Sequence, residues 1–94
     1  MNTAHFIKEV ETNLGGYIQR LFKLSPPYKE HSHCIITERS TRGKGPETHC
    51  VPATPEGEIA KLELLSGING STCTGKVLEK MGYTWEKEDE RALG

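Results

Sequence analysis

The sequence predicts an α+β domain in the order α-β-β-β-β-α-β: a mainly antiparallel sheet of four to five strands, with an N-terminal helix and one C-terminal helix packed on it. Three observations lead there. Apolar residues near the N-terminus recur at helical spacing. The middle of the chain is a series of short β-branched runs separated by glycine and proline. A second helical repeat, closed by a glycine, follows near the C-terminus.

The first element is expected as a helix over residues 1–16. Thr3 stands as its cap, Phe6, Ile7, Val10 and Leu14 form the apolar face, and Gly15-Gly16 is the stop. Tyr17 to Leu24 can continue that face or form a strand. The flanking Gly-Gly and Pro26-Pro27 favour a strand, and Pro26-Pro27-Tyr28 must be extended. His33 to Ser40 is a β-branched run around Cys34-Ile-Ile-Thr37. Arg42–Gly45 reads as a turn, which pairs Glu38 with His49 and Thr37 with Cys50 in the strand Thr48–Thr54. Thr54-Pro-Glu-Gly-Glu58 has the chemistry of a hairpin turn. Ile59 to Leu65 returns as a strand with Ala60, Leu62 and Leu64 on one face, and Ser66 to Ser71 is a glycine-containing loop. Thr72 then caps a helix presenting Cys73, Val77, Leu78 and Met81, closed by Gly82. Tyr83-Thr84-Trp85 turns back as a strand. The layout is one domain over 1–94: helix 1–16, sheet plus helix 17–85, and a charged, frayed tail 86–94.

Ninety-four residues with 34% hydrophobic and 27% charged content hold one modest core and no deep cavity. The net charge of −1 hides an asymmetry: residues 1–46 balance at +3 and residues 47–94 at −4. That can steer a charged partner but is not the basic footprint of a general nucleic-acid binder. Three cysteines do not make a paired disulfide framework. The opening residues lack a basic then apolar leader, and no apolar run approaches the ~20 residues of a membrane span. The expectation is a reduced, cytoplasmic chain with no membrane contact.

His31, His33-Cys34 and His49-Cys50 are the metal-capable residues of the first half. Neighbours on a strand point to opposite faces, so neither His-Cys dipeptide can aim both side chains at one ion. In the predicted register His33 and His49 stand about 16 Å apart, at ~3.3 Å per residue. No metal and no other cofactor is expected. A shifted register would make His31, His33, His49 and Cys50 the ligands of a zinc-stabilised module. Catalysis is not expected either: Cys73 lies on the packed helix face, and Arg42-Gly-Lys-Gly45 lacks the spacing of a phosphate-binding loop.

Two surfaces remain for partner binding. The basic tip holds Arg39, Arg42 and Lys44; the acidic end holds Glu86, Glu88, Asp89 and Glu90. The first suits an acidic protein face or a phosphate backbone, the second a basic groove. An exposed edge strand would permit a homodimer; otherwise the chain is a monomer.

From Leu21-Phe-Lys-Leu-Ser-Pro-Pro-Tyr28, through a His before Cys34-Ile-Ile-Thr37, Gly45-Pro-Glu-Thr48, Pro52-Ala53, Glu56-Gly-Glu-Ile59 and Leu78-x-x-Met81-Gly-Tyr83, the layout resembles a group of small phage and prophage accessory proteins. The likeness covers roughly two-thirds of the chain and leaves out residues 1–16. It brings no catalytic residues. It implies a mobile-element setting and a non-enzymatic protein that works by stoichiometric binding to a host protein or ribonucleoprotein complex, inhibiting a defence system such as a CRISPR–Cas effector, in the manner of an anti-CRISPR. The alternatives are a small nucleic-acid-binding regulator and the zinc-stabilised module.

Overall fold

The computed structural model describes residues 2–12, 15–39, 46–70 and 73–86. Six strands and one helix lie in them: β1 Thr3–Val10, β2 Tyr17–Tyr28, β3 His31–Arg39, β4 Thr48–Pro52, β5 Ser66–Ile68, α1 Thr74–Met81 and β6 Thr84–Glu86. The strands form one sheet in the order β5-β4-β3-β2-β1-β6, antiparallel except for the parallel β1–β6 pair. The sheet curls like half a barrel, with α1 against one face.

The expected N-terminal helix is wrong. Residues 3–10 are β1, paired with β2 from Thr3↔Ser25 to Val10↔Gln19. The cause lies in a bulge. The register shifts between Phe6 and Lys8, so Ile7 is an extra residue that reverses the inside–outside alternation. Ala4 and Phe6 pack into the helix-side core, whereas Lys8 and Val10 lie over the other face, near the turn at Gly57. The extra Ile7 places apolar residues at 6, 7 and 10, four and three before Val10, which imitates a helical period. Leu14, the last member of the expected face, lies outside the described residues.

The strand reading of Tyr17–Leu24 matches β2, which runs on through both prolines to Tyr28. They fit because the β2–β3 ladder is irregular between Lys23 and Tyr28, so little hydrogen bonding is lost there. The β3–β4 pairing is offset by one residue from expectation: Thr37 faces His49, and Ile36 faces Cys50. This offset puts Cys50 on the same face as Ile36 and Cys34, inside the core.

The second correction concerns Ile59–Leu65. Ile59 forms only an isolated bridge to Ala53, and the Ala60 N–H donates to Pro52. Pairing resumes with the Leu65 N–H on the Cys50 carbonyl and with β5, Ser66–Ile68, in the stretch expected as a loop. Lys61–Leu64 are looped out between them. Gly67 explains the placement: a Cβ there would meet Pro46 Cγ at 2.8 Å, so this close approach takes glycine. Leu65, not Leu62 or Leu64, then enters the core.

The main core lies between the sheet and α1: Phe22, Leu24, Cys34, Ile36 and Cys50 from the strands meet Val77, Leu78 and Met81 from the helix. Phe6, Phe22 and Trp85 add edge-on ring contacts, with Phe22–Trp85 centroids 5.4 Å apart. Leu21 and Ile35 are buried on the opposite face. The turn Thr54–Glu58 folds over that side, where a Cβ on Gly57 would stand 3.6 Å from Leu21 Cδ2. Gly82 ends α1 in the left-handed conformation, with its N–H on Glu79 and Leu78 carbonyls, as the sequence indicates. The expected cap, Thr72, lies outside the described residues.

Candidate functional site

Of the basic tip, Arg39 is described. It closes β3, its N–H donates to the Glu47 carbonyl at 2.7 Å, and its Nη2 reaches the Pro46 carbonyl at 3.4 Å. It braces the β3–β4 connection. Arg42 and Lys44 lie outside the described residues. At the acidic end, Glu86 Oε1 bonds His5 Nδ1 at 3.1 Å and ties β6 to β1. Glu88, Asp89 and Glu90 lie outside the described residues. The structure does not bring the described members of the two patches into one surface: Arg39 pairs with Tyr17, whereas Glu86 pairs with His5 across β1.

The candidate metal residues are divided by the sheet. His33 and His49 share the parity of Ile35 and Val51, on the face away from α1, whereas Cys34 and Cys50 are fully buried beneath the helix. His33 aligns with Ala53 rather than His49, four positions away, or about 13 Å at ~3.3 Å per residue. His31 opens β3 opposite Tyr28. Among the described residues no three His, Cys, Asp or Glu side chains form a group able to hold a metal.

The densest polar arrangement was not anticipated. Glu38, Arg20 and Thr74 join β3, β2 and α1. Glu38 Oε2 accepts from Arg20 Nη1 at 2.7 Å, from the Thr74 hydroxyl at 2.6 Å and from the Thr74 N–H at 2.9 Å. Arg20 Nη1 also donates to the Thr74 hydroxyl at 2.9 Å, and its guanidinium sits 5.8 Å from the Trp85 ring centre. Burial pushes the Glu38 carboxyl upward, but the Thr74 hydrogen bonds and the Arg20 charge outweigh it and hold the pKa below its ordinary value. Glu38 thus caps α1 from another strand, in place of a local side-chain cap. These bonds tie the start of α1 to β2 and β3, so the group positions the helix. Sequence reasoning had no signal for it, because Glu38 and Thr74 are distant in the chain.

The apolar surface lies elsewhere. The looped-out stretch carries Leu62 at 91% exposure and Leu64 at 59%, and Ile59 beside it is 47% exposed. The Glu63 N–H bonds the Lys61 carbonyl at 2.9 Å, which makes a tight turn with Leu62 at its apex. Lys61 and Glu63 flank that apex and approach to 3.5 Å. Leu64 also lines an open hollow of about 480 Å³ with Tyr28, Pro46 and Lys80. The alternating Lys-Leu-Glu-Leu sequence reads as a half-buried strand, and it hid this surface.

Comparison with protein-family models, curated proteins and solved structures finds no match for the chain. No described helix is long and apolar enough to cross a membrane.

Proposed function

We propose that this chain acts by stoichiometric binding to another protein and docks through the edge loop Ile59–Leu64. One observation carries the reading: Leu62 is 91% exposed at the apex of a turn whose two ends are tied into the sheet, with Leu64 and Ile59 beside it. A single exposed leucine is ordinary, but three large apolar side chains within six residues make a patch of the kind that marks protein contacts. Burying such a side chain contributes about 1.5–3 kcal/mol. Arg39 and Glu86 already serve intramolecular bonds, and this reading does not rest on them. The resemblance to phage and prophage accessory proteins makes the partner a host protein or ribonucleoprotein complex, with a defence complex such as a CRISPR–Cas effector as the proposed target.

The test places a photo-crosslinking residue at position 62, or at the exposed helix position Lys76, in the chain expressed in its host. A discrete host-protein adduct from position 62, absent from position 76 and lost with Leu64→Asp, is the expected outcome. Equal labelling from both positions rejects the reading.

A further inference from the structure

We infer that the edge loop also fits a second copy of this chain, forming a two-fold dimer in which Leu62 meets Leu62 of the other copy and each Lys61 meets the other copy's Glu63. The inference rests on the reading of Ile59–Leu64 as a docking surface and names one occupant of it.

The argument begins with the order of residues around the apex. Ala60, Lys61, Leu62, Glu63 and Leu64 are complementary to their own reverse. A two-fold axis beside Leu62 runs two such loops antiparallel. It sets residue 61 against 63, 60 against 64 and 62 against 62. Both charged contacts are then of opposite sign, and the remaining three are apolar. The surface is available, since Leu62 and Leu64 are 91% and 59% exposed and both Lys61 and Glu63 are solvent-facing at 67% and 37% of their side chains. The intrachain Lys61–Glu63 approach of 3.5 Å is a solvent-screened pair of small worth, so exchanging it for two contacts between copies costs little.

The other free edge does not fit a second copy. Among the described residues β6 covers β1 only at Thr3–His5, leaving Phe6–Val10 as an edge. A two-fold antiparallel pairing keeps like faces together. An axis at Lys8 therefore sets lysine on lysine, and an axis at Glu9 sets glutamate on glutamate. The bulge at Ile7 further distorts that edge. Self-complementarity belongs to the loop and not to the strand.

The contact is smaller than the roughly 1,200 Å² of a standard interface, so the dimer is weak and forms at high protein concentration. Sedimentation equilibrium over a concentration series reads it. Wild type is expected to follow a monomer–dimer equilibrium that weakens with salt. Lys61→Glu alone and Glu63→Lys alone each set like charges across the axis and weaken self-association by roughly tenfold or more. A one-to-one mixture of those two variants regains the dimer as a heterodimer, and the double exchange K61E/E63K regains it as a homodimer. Lys61 is exposed and Glu63 partly exposed, and circular dichroism checks that the variants stay folded.

A wild type that is monomeric at every concentration overturns the inference, as does a Lys61→Glu chain that associates like wild type. Position-62 crosslinks separate this result from the broader reading. Host-protein adducts from a strictly monomeric chain reject the dimer and keep the docking surface. Chain–chain adducts without host adducts keep the dimer and reject host binding.

Discussion

The three thiols differ by environment rather than by sequence context. Cys34 and Cys50 are fully buried under α1, while Cys73 is partly exposed at its N-terminus. The hydrogen bond with Cys34, and then burial, push the Cys50 thiol far upward, so it stays protonated and unreactive at neutral pH. A thiol-specific reagent added to native protein is expected to titrate one cysteine quickly and two only on unfolding; three equal fast reactions contradict this placement. Two other groups set the response to acid. Burial lowers the His49 pKa below its ordinary 6.5, opposed by its hydrogen bond with Pro46 and aided by the Arg39 charge. Glu38 is held below its ordinary 4.5. Both folded values are depressed, so both contributions are present above the unfolded values and are lost as pH falls. Denaturant midpoints should therefore drop first below pH 6.5 and again below 4.5. Glu38→Gln should remove the second drop and cost about 1–2 kcal/mol at neutral pH, because Arg20 loses its counter-charge. An unchanged acid limb in that variant rules out this role for Glu38.

At the scale of elements, what was legible was local chemistry. The Gly82 stop, the turn at Thr54–Glu58 and the strand character of Tyr17–Leu24 and Cys34–Thr37 all rest on preferences of a few neighbouring residues, and the structure has them. The misreadings occur where a strand breaks its own period. The bulge at Ile7 made β1 look helical, and the excursion at Lys61–Leu64 hid a protruding loop inside an apparent strand. The charged side chains of Lys8 and Glu9, each of which would meet its own kind in a two-fold pairing, guard the edge that the bulge leaves open. Replacing both with threonine should raise light scattering at high concentration without lowering the melting temperature. No change in scattering would show that the bulge alone protects this edge. Gly82 has φ +89°, so Gly82→Val should cost about 1 kcal/mol or more and fray α1, which amide exchange at Leu78 and Met81 reads directly.

For the whole molecule, stability rests on a thin core between one curled sheet and one two-turn helix, and Phe22 is its centre, fully buried and in ring contact with both Phe6 and Trp85. Phe22→Ala should cost about 3–5 kcal/mol, a large share of the stability of a chain this size, and leave it substantially unfolded at 37 °C. A melting temperature within a few degrees of wild type would move the core elsewhere. The candidate site shows how far sequence reaches. Alternation by itself separated His33 from Cys34 and His49 from Cys50, because side chains two apart share a face and neighbours do not. It also supplied the self-complementary order of Lys61, Leu62 and Glu63. Only the tertiary structure decided that these residues protrude. Gly67 must sit where Pro46 leaves no room for a Cβ, so Leu65 enters the core and the four residues before it are pushed into solvent. Likewise only the fold brought Glu38 to the start of α1, since a hydrogen bond between distant positions leaves no periodic trace in the chain.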